Sequence, residues 1–252
     1  MKAVRDLRVI ALAFVAASIV GCGSDSSTGP DRAPADLGVV LSEMSLPSVA
    51  SGLVPGVPAL PSTSALTPSS CSYSSTSQSF ACPTVTASGL TFTRSFTLLS
   101  GSGTPQSQFD PTSTAAVRTT TTTTGTITTG GSTMTVDGHD ALTLSGILTG
   151  VHMLDGTSVL NVQGTEAGST TPYTLSVSTT IASLVLPASV ADRWPKSGKV
   201  MVDLTDTMLG ATTTTHMAMT FNGTSKVAVS LTSGGLTLSC TVDLAAQSPT
   251  CS

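Results

Sequence analysis

The chain has 252 residues, of which only 10% are charged, and its 10 Lys and Arg residues against 14 Asp and Glu residues give a net charge of −4. A weakly acidic chain with scattered basic residues lacks the electrostatic footprint that a phosphate backbone requires, so we expect no nucleic-acid partner. It also lacks the basic cluster that would hold anionic lipid headgroups by charge alone.

Threonine and serine occupy the positions where a helical protein would carry Glu, Lys and Arg, since the whole sequence has two glutamates and four lysines. The β-branched side chain of threonine suits a pleated strand better than a helix. The composition therefore predicts an all-β protein. Disorder is the competing interpretation, because aromatic residues make up only 4% of the chain. The alternation and the cysteine spacing described below argue against it.

The N-terminus has the pattern of an export signal. Three basic side chains precede an apolar run over residues 9–20, namely Lys2, Arg5 and Arg8. A transmembrane helix needs about 20 apolar residues, so this shorter run favours a cleaved signal. The run closes on Ile19-Val20-Gly21-Cys22, which resembles the lipobox of bacterial lipoproteins. The resemblance implies a signal peptide at residues 1–21 and acylation of Cys22, for example with palmitate. The alternative is a structural cysteine that happens to follow the signal.

The same resemblance implies a place in the cell envelope, with the membrane reached through the lipid on Cys22. Each buried acyl CH₂ contributes about 0.8 kcal/mol, and two chains give stable anchoring. Gly23, rather than Asp, is typical of the outer-membrane class in Gram-negative hosts, which would leave the protein in the periplasm or at the cell surface. Residues 22–36 are polar and rich in turn formers, which predicts a flexible tether.

Residues 37–69 contain five prolines between positions 47 and 68. Proline cannot donate a hydrogen bond to a sheet ladder, so this region is predicted to be an extended strap or linker. The apolar patch Val39-Val40-Leu41 is compatible with a first strand or a short helix.

Residues 70–252 are predicted to form one antiparallel β-domain. Leu90, Phe92, Phe96 and Leu98 share one parity, as in a half-buried strand. Further strand-like runs follow, separated by short breaks that include Asp137-Gly138, Asp155-Gly156 and Asn222-Gly223. Short connections favour an up-and-down meander, curled into a partly open barrel or a strongly curved sheet.

The break at Asn222-Gly223 allows a prediction of register. A three-residue loop over positions 222–224 pairs Met219 with Val227 and Met217 with Val229, apolar on apolar. A slip by one residue would turn this apolar set to solvent, so we expect the three-residue loop with a glycine bulge.

Beyond Cys22, the four cysteines allow three disulfide connectivities, and their spacing favours one. Cys71 and Cys82 are eleven residues apart, as are Cys240 and Cys251. Folding about positions 76 and 77 sets Cys71 opposite Cys82 and an aromatic residue, Tyr73, opposite Phe80. We therefore expect two disulfide-stapled hairpins, each worth about 3 kcal/mol in the loop-entropy model. A metal site is the alternative, but the spacings do not suit one.

No motif of a known catalytic or cofactor site occurs, and we expect no cofactor. The densest titratable cluster is His139, Asp140, His152 and Asp155, predicted on turns that flank a strand at 141–148. Two His and two Asp residues could hold zinc or support hydrolysis. Ordinary turn chemistry, with Asp side chains capping backbone amides, is the preferred interpretation.

Three other features have structural explanations. The threonine run 119–124 is predicted to be solvent surface, with an edge strand or a glycan-binding face as alternatives. Trp194 is predicted to plug one end of the sheet. Four methionines recur on neighbouring strands and are predicted to fill the core: Met201, Met208, Met217 and Met219.

These observations predict a non-enzymatic, lipid-anchored envelope protein with a structural or partner-binding role. One alternative is a carrier that holds a lipid or another hydrophobic ligand against a curved sheet. The other is a hydrolase or metal site at His139, Asp140, His152 and Asp155, which requires those groups to converge.

Overall fold

A computed structural model describes residues 71–129, 131–165, 171–187, 194–208, 210–246 and 248–252. The signal peptide, Cys22, the tether and the strap lie outside these residues. The described residues contain fourteen strands and no helix. The first seven are β1 (Ser72–Ser74), β2 (Ser79–Ala81), β3 (Val85–Ala87), β4 (Leu90–Ser100), β5 (Pro105–Gln106), β6 (Thr114–Thr129) and β7 (Ser132–Ser145). The others are β8 (Met153–Thr165), β9 (Pro172–Val185), β10 (Ser197–Met208), β11 (Ala211–Phe221), β12 (Lys226–Ser233), β13 (Leu236–Asp243) and β14 (Ser248–Cys251).

All fourteen strands belong to one antiparallel sheet that does not close into a barrel. The strands follow each other in chain order from β1 to β14, except that the short β3 and β5 both pair with β4 beside the main path. This is the all-β meander that the composition and the short breaks predicted. Each strand pairs with its sequence neighbour, as expected where connections are only a few residues long.

One face of the sheet is buried, and we call it the inner face; the opposite one is the outer face. On β4 the inner face carries Leu90, Phe92, Phe96 and Leu98, each at most 5% exposed, as the alternation predicted. The buried apolar side chains of β4 and β6–β12 form one cluster. A flat single sheet cannot cover its own face, so the sheet is strongly curved around this cluster. Burial of that apolar surface is the main stabilising contribution.

Both predicted disulfides are present. Cys71 is bonded to Cys82, and Cys240 is bonded to Cys251. Tyr73 is opposite Phe80, with ring centroids 5.1 Å apart. The two bonds lie at opposite ends of the strand order, where they close the short terminal hairpins β1–β2 and β13–β14.

The breaks predicted at Asp137-Gly138 and Asp155-Gly156 are wrong, since these residues lie inside β7 and β8. Gly138 permits close packing, because a Cβ there would lie 3.4 Å from the Leu160 side chain. Gly156 lies at a β-bulge between β8 and β9 and has φ +149°. Both glycines therefore act within strands, as a close-packing position and a bulge, and do not form turns.

The register predicted for the β11–β12 hairpin is also wrong. Met219 pairs with Val229 and Met217 with Leu231, two residues further along β12 than expected. The Asn222 side chain accepts hydrogen bonds from the Thr224 amide and hydroxyl, at 3.1 and 2.7 Å. This local turn lengthens the loop by two residues. The shift by two keeps every apolar side chain on the inner face.

The threonine run 119–124 is neither an edge nor plain solvent surface. It lies in β6, which pairs with β4 on one side and β7 on the other. Alternate threonines therefore point to opposite faces of the sheet. Thr119 is buried at 4% exposure on the inner face. The run thus contributes hydroxyl groups to the interior, which its composition did not predict.

Candidate functional site

The cluster predicted at His139, Asp140, His152 and Asp155 is not assembled. His139 and Asp140 are successive residues of β7, not of a turn. Successive strand residues point to opposite faces, so the exposed His139 is on the outer face and Asp140 on the inner face. Within the described ranges, no group of three or more His, Cys, Asp or Glu residues could hold a metal ion.

His152 and Asp155 have positions that match structural roles. His152 is a buried residue of the loop that connects β7 to β8. Its backbone carbonyl accepts a hydrogen bond from the Leu186 amide at 2.9 Å. The Asp155 carboxylate accepts one from the Ser183 amide at 2.7 Å. Ser183 has φ +49° beside the bulge, a conformation that such a contact helps to hold. The structure thus gives no support to a hydrolase or metal centre at this cluster.

The residue that sequence reasoning missed is Arg94. It lies on the inner face of β4 between Phe92 and Phe96, and it is only 8% exposed. Arg94 alternates in step with the buried apolar residues of β4. This alternation was therefore the sequence signal that could have identified Arg94 as a residue of the inner face. Burial lowers the pKa of its guanidinium, but arginine remains charged in proteins. A full positive charge therefore lies on the buried face of the sheet, beside the phenylalanines of its own strand.

Arg94 begins a row of polar side chains that crosses the inner face. Each residue pairs with the next on the neighbouring strand, so all of them share one face. We call this set the polar row: Arg94, Thr121, Asp140, Ser158 and Thr179. The adjacent rows are mainly apolar, so the polar row is a distinct chemical feature of the inner face.

Asp140 is the second charged group of the polar row. Its carboxylate accepts a hydrogen bond from the Ser158 hydroxyl at 2.5 Å. Burial raises the pKa of Asp140, and the hydrogen bond from Ser158 and the charge of His139 oppose that change without cancelling it. The carboxyl group is thus easier to protonate than an exposed one.

Arg94 lacks the partners that a buried guanidinium normally has. Its Nε is buried without a hydrogen-bond partner. No described residue forms an ion pair with it, and Asp140 is two strands away. Buried polar groups are almost always hydrogen-bonded, so the bare Nε indicates an acceptor that the described residues do not supply.

Aromatic residues flank Arg94 along β4, since Phe92 and Phe96 have the same parity. The ring of Phe96 stacks on Phe80, with centroids 4.7 Å apart and planes inclined by 5°. The Cys82 amide donates to the Arg94 carbonyl at 2.9 Å, which brings the Cys71–Cys82 disulfide beside β4. The first disulfide hairpin thus lies beside the backbone of Arg94, on the side of β4 opposite β6.

At its other end the polar row continues into an apolar surface that reaches solvent. The row passes from Thr179 through β10 and β11 to Leu231 and Leu238. Leu238 is 44% exposed, and Leu236 beside it is 78% exposed. The inner face is therefore open to solvent at β13.

The outer face is mainly hydroxyl-bearing. Cross-strand pairs of hydroxyl groups link neighbouring strands, such as Thr207 with Thr212 and Thr232 with Thr237, both at 3.0 Å. His216 contacts Asp203 there, and both side chains are more than half exposed. His216 is thus a residue of the outer face.

The predictions for the tryptophan and methionines are only partly confirmed. Trp194 is partly buried and packs against the core, consistent with a plug. Met217 and Met219 are buried in the core, whereas Met201 and Met208 are 38% and 42% exposed. The second pair was therefore wrongly predicted to be core, because Met201 faces outward and Met208 lies at a strand end.

No protein-family model, curated protein or solved structure matches this chain. In the part of the chain that the structure describes, no helix has the length and apolarity needed to span a bilayer.

Proposed function

We propose that this chain is a non-enzymatic, lipid-anchored protein of the cell envelope, whose β-domain binds a partner or ligand. The lipobox-like Ile19-Val20-Gly21-Cys22 supports the anchor, with the outer membrane as its site and the domain in the periplasm or at the surface. The two disulfides support export, because such bonds persist in oxidising compartments.

A specific observation favours a carrier of a hydrophobic ligand within this broader proposal. The inner face combines a continuous apolar cluster with the buried, unpartnered Arg94. Ligand sites are typically apolar surfaces with a few convergent polar groups that orient the ligand. A protein with a purely structural role has no need for an unpaired buried charge, which costs stability.

The anchor is tested by fractionation of the chain with and without Cys22→Ala. We expect the unchanged chain in the membrane fraction with an acylated N-terminal cysteine. The Cys22→Ala chain, exported behind a cleavable signal peptide, should be soluble and four protons lighter than its reduced form. Membrane retention of this variant would contradict lipid anchoring, and reduced cysteines in it would contradict export into an oxidising compartment.

The carrier is tested with the same soluble variant and N-phenyl-1-naphthylamine, a neutral dye that fluoresces in apolar sites. We expect saturable fluorescence that competing alkyl compounds displace. A second measurement, native mass spectrometry, should show a mass that disappears on denaturation. Absence of both signals would refute the carrier and leave partner binding as the proposed role.

A further inference from the structure

The guanidinium of Arg94 requires an acceptor that no described residue supplies. Arg94 is 8% exposed, and its Nε has no hydrogen-bond partner. The Nε–H is one of the five N–H donors of the planar guanidinium, and burying it without an acceptor is unfavourable. A stable fold retains such a group most readily where an incoming group completes it.

The obvious internal partner, Asp140, forms no ion pair with Arg94. Arg94 pairs with Thr121, and Thr121 pairs with Asp140, so one strand separates the two charges. Neighbouring strands are about 4.8 Å apart, which puts the two backbones about 9.5 Å from each other. The Asp140 carboxylate is directed to the Ser158 hydroxyl. Between the two charged groups, the polar row offers only the hydroxyl of Thr121.

We propose that Arg94 binds the carboxylate of a long-chain carboxylic acid on the inner face, with Thr121 and Asp140 beside the headgroup. This inference rests on the proposed carrier function and names its ligand class. The ligand's two carboxylate oxygens accept the parallel N–H bonds of the guanidinium fork. Its alkyl chain lies along the apolar cluster.

The apolar surroundings favour an amphipathic ligand over a small free anion. Phe92 and Phe96 flank Arg94 on its own strand, and Phe80 stacks on Phe96. A small hydrated anion would lose its water at this position without gaining apolar contact. An alkyl chain buries its own surface against the same aromatic side chains.

Asp140 favours a singly charged headgroup. Its carboxyl group is in the same polar row, two strands from the guanidinium. A dianion doubles both the repulsion from an ionised Asp140 and the attraction to Arg94, but its desolvation cost rises about fourfold, because the Born energy scales with the square of the charge. A carboxylate is therefore preferred to an alkyl phosphate in its doubly charged form.

The proposal is tested by displacing N-phenyl-1-naphthylamine from the soluble Cys22→Ala chain with three ligands of equal chain length. These are dodecanoate, dodecanol and dodecyl phosphate. We expect dodecanoate to bind most tightly. The measurement is repeated with Arg94→Met, which removes the charge, and with Arg118→Met, which removes an exposed arginine of β6.

Truncating one partner of a buried charge pair costs at least about 2 kcal/mol, a factor of about 30 in affinity. Arg94→Met should therefore weaken dodecanoate binding at least about 30-fold and leave dodecanol binding nearly unchanged. Arg118→Met should change neither the affinity for dodecanoate nor the affinity for dodecanol. Arg94→Lys, which keeps the charge and loses the fork, should fall between Arg94→Met and the parent chain.

The outcomes separate the two proposals. Equal dodecanoate affinity in Arg94→Met and the parent chain would overturn the headgroup site while the carrier stands. Tighter binding of dodecyl phosphate would overturn the carboxylate assignment. If neither the dye nor dodecanoate binds the parent chain, by fluorescence or by native mass spectrometry, the carrier and the headgroup site are both wrong. Circular dichroism checks that Arg94→Met is folded, and Arg94→Lys serves as the test if it is not.

Discussion

Arg94 and Asp140 occupy the same row of the inner face with Thr121 between them, and they do not form an ion pair. Opposite charges on one face of a sheet often approach each other, because their attraction offsets part of the desolvation cost of each. Here the register of three strands keeps them apart.

The first prediction concerns the stability of the unliganded domain. Arg94→Met replaces an unpartnered buried charge by an apolar side chain of similar length, so it should raise the free energy of unfolding by about 1–2 kcal/mol. Urea denaturation without ligand measures the change. The exposed Arg118→Met should stay within about 0.5 kcal/mol of the parent chain. A clear loss of stability in Arg94→Met would show that the guanidinium is already satisfied.

The second prediction concerns pH. Burial raises the pKa of Asp140 in the native state above its ordinary value of 3.8. At pH values between the unfolded-state pKa and the raised native-state pKa, the native state therefore binds more protons than the unfolded state. The contribution of Asp140 to stability therefore falls as the pH rises from about 3.8 through the raised pKa. Asp140→Asn keeps an acceptor for Ser158 and should remove this fall.

Urea denaturation at a series of pH values tests the second prediction through the difference between the two chains. Asp110 and Asp243 have lowered pKa values, through hydrogen bonds from Thr112 and from the Ala246 amide respectively. Their stabilisation is lost as the pH falls, which is the opposite dependence. Asp110 and Asp243 are present in both the parent chain and Asp140→Asn. The difference between the unfolding free energies of these two chains therefore isolates the contribution of Asp140. Parallel curves would contradict the prediction.

The third prediction separates the two disulfides. Cys71–Cys82 packs against the core, so replacing both cysteines by serine should cost about 3 kcal/mol. Cys240–Cys251 holds β14, whose four residues are all exposed. Its removal should fray β14 with a smaller loss of global stability. Denaturation and amide hydrogen exchange measure the two effects. Equal global losses would mean that β14 is part of the cooperative unit.

The fourth prediction concerns the bulge in β8. A Cβ at Gly156 would lie 2.2 Å from the Ala141 carbonyl oxygen, and φ is +149°. Gly156→Ala should therefore destabilise the domain by about 2 kcal/mol or more. Gly101→Ala is the control, since a Cβ there meets nothing within 4 Å. Thermal unfolding compares them, and equal melting temperatures would show that the bulge rearranges without cost.

Local patterns predicted the all-β class, the meander and both disulfides. The alternation around Phe92 and Phe96 has the two-residue period of a strand, which depends only on backbone geometry. The eleven-residue spacing of Cys71 and Cys82 fits a single short hairpin. Both are short-range relationships, so no knowledge of distant strands was required.

The polar row required the tertiary structure. Asp140 and Ser158 come from different strands, and their meeting depends on strand length, bulges and register. The wrong breaks at Gly138 and Gly156 show why local patterns fail here, since glycine is typical both of turns and of close-packed strand positions. The parity of β4 could have placed Arg94 on the inner face. Only the assembled sheet decided that no described group would neutralise it, because that depends on which side chains the other strands bring within reach.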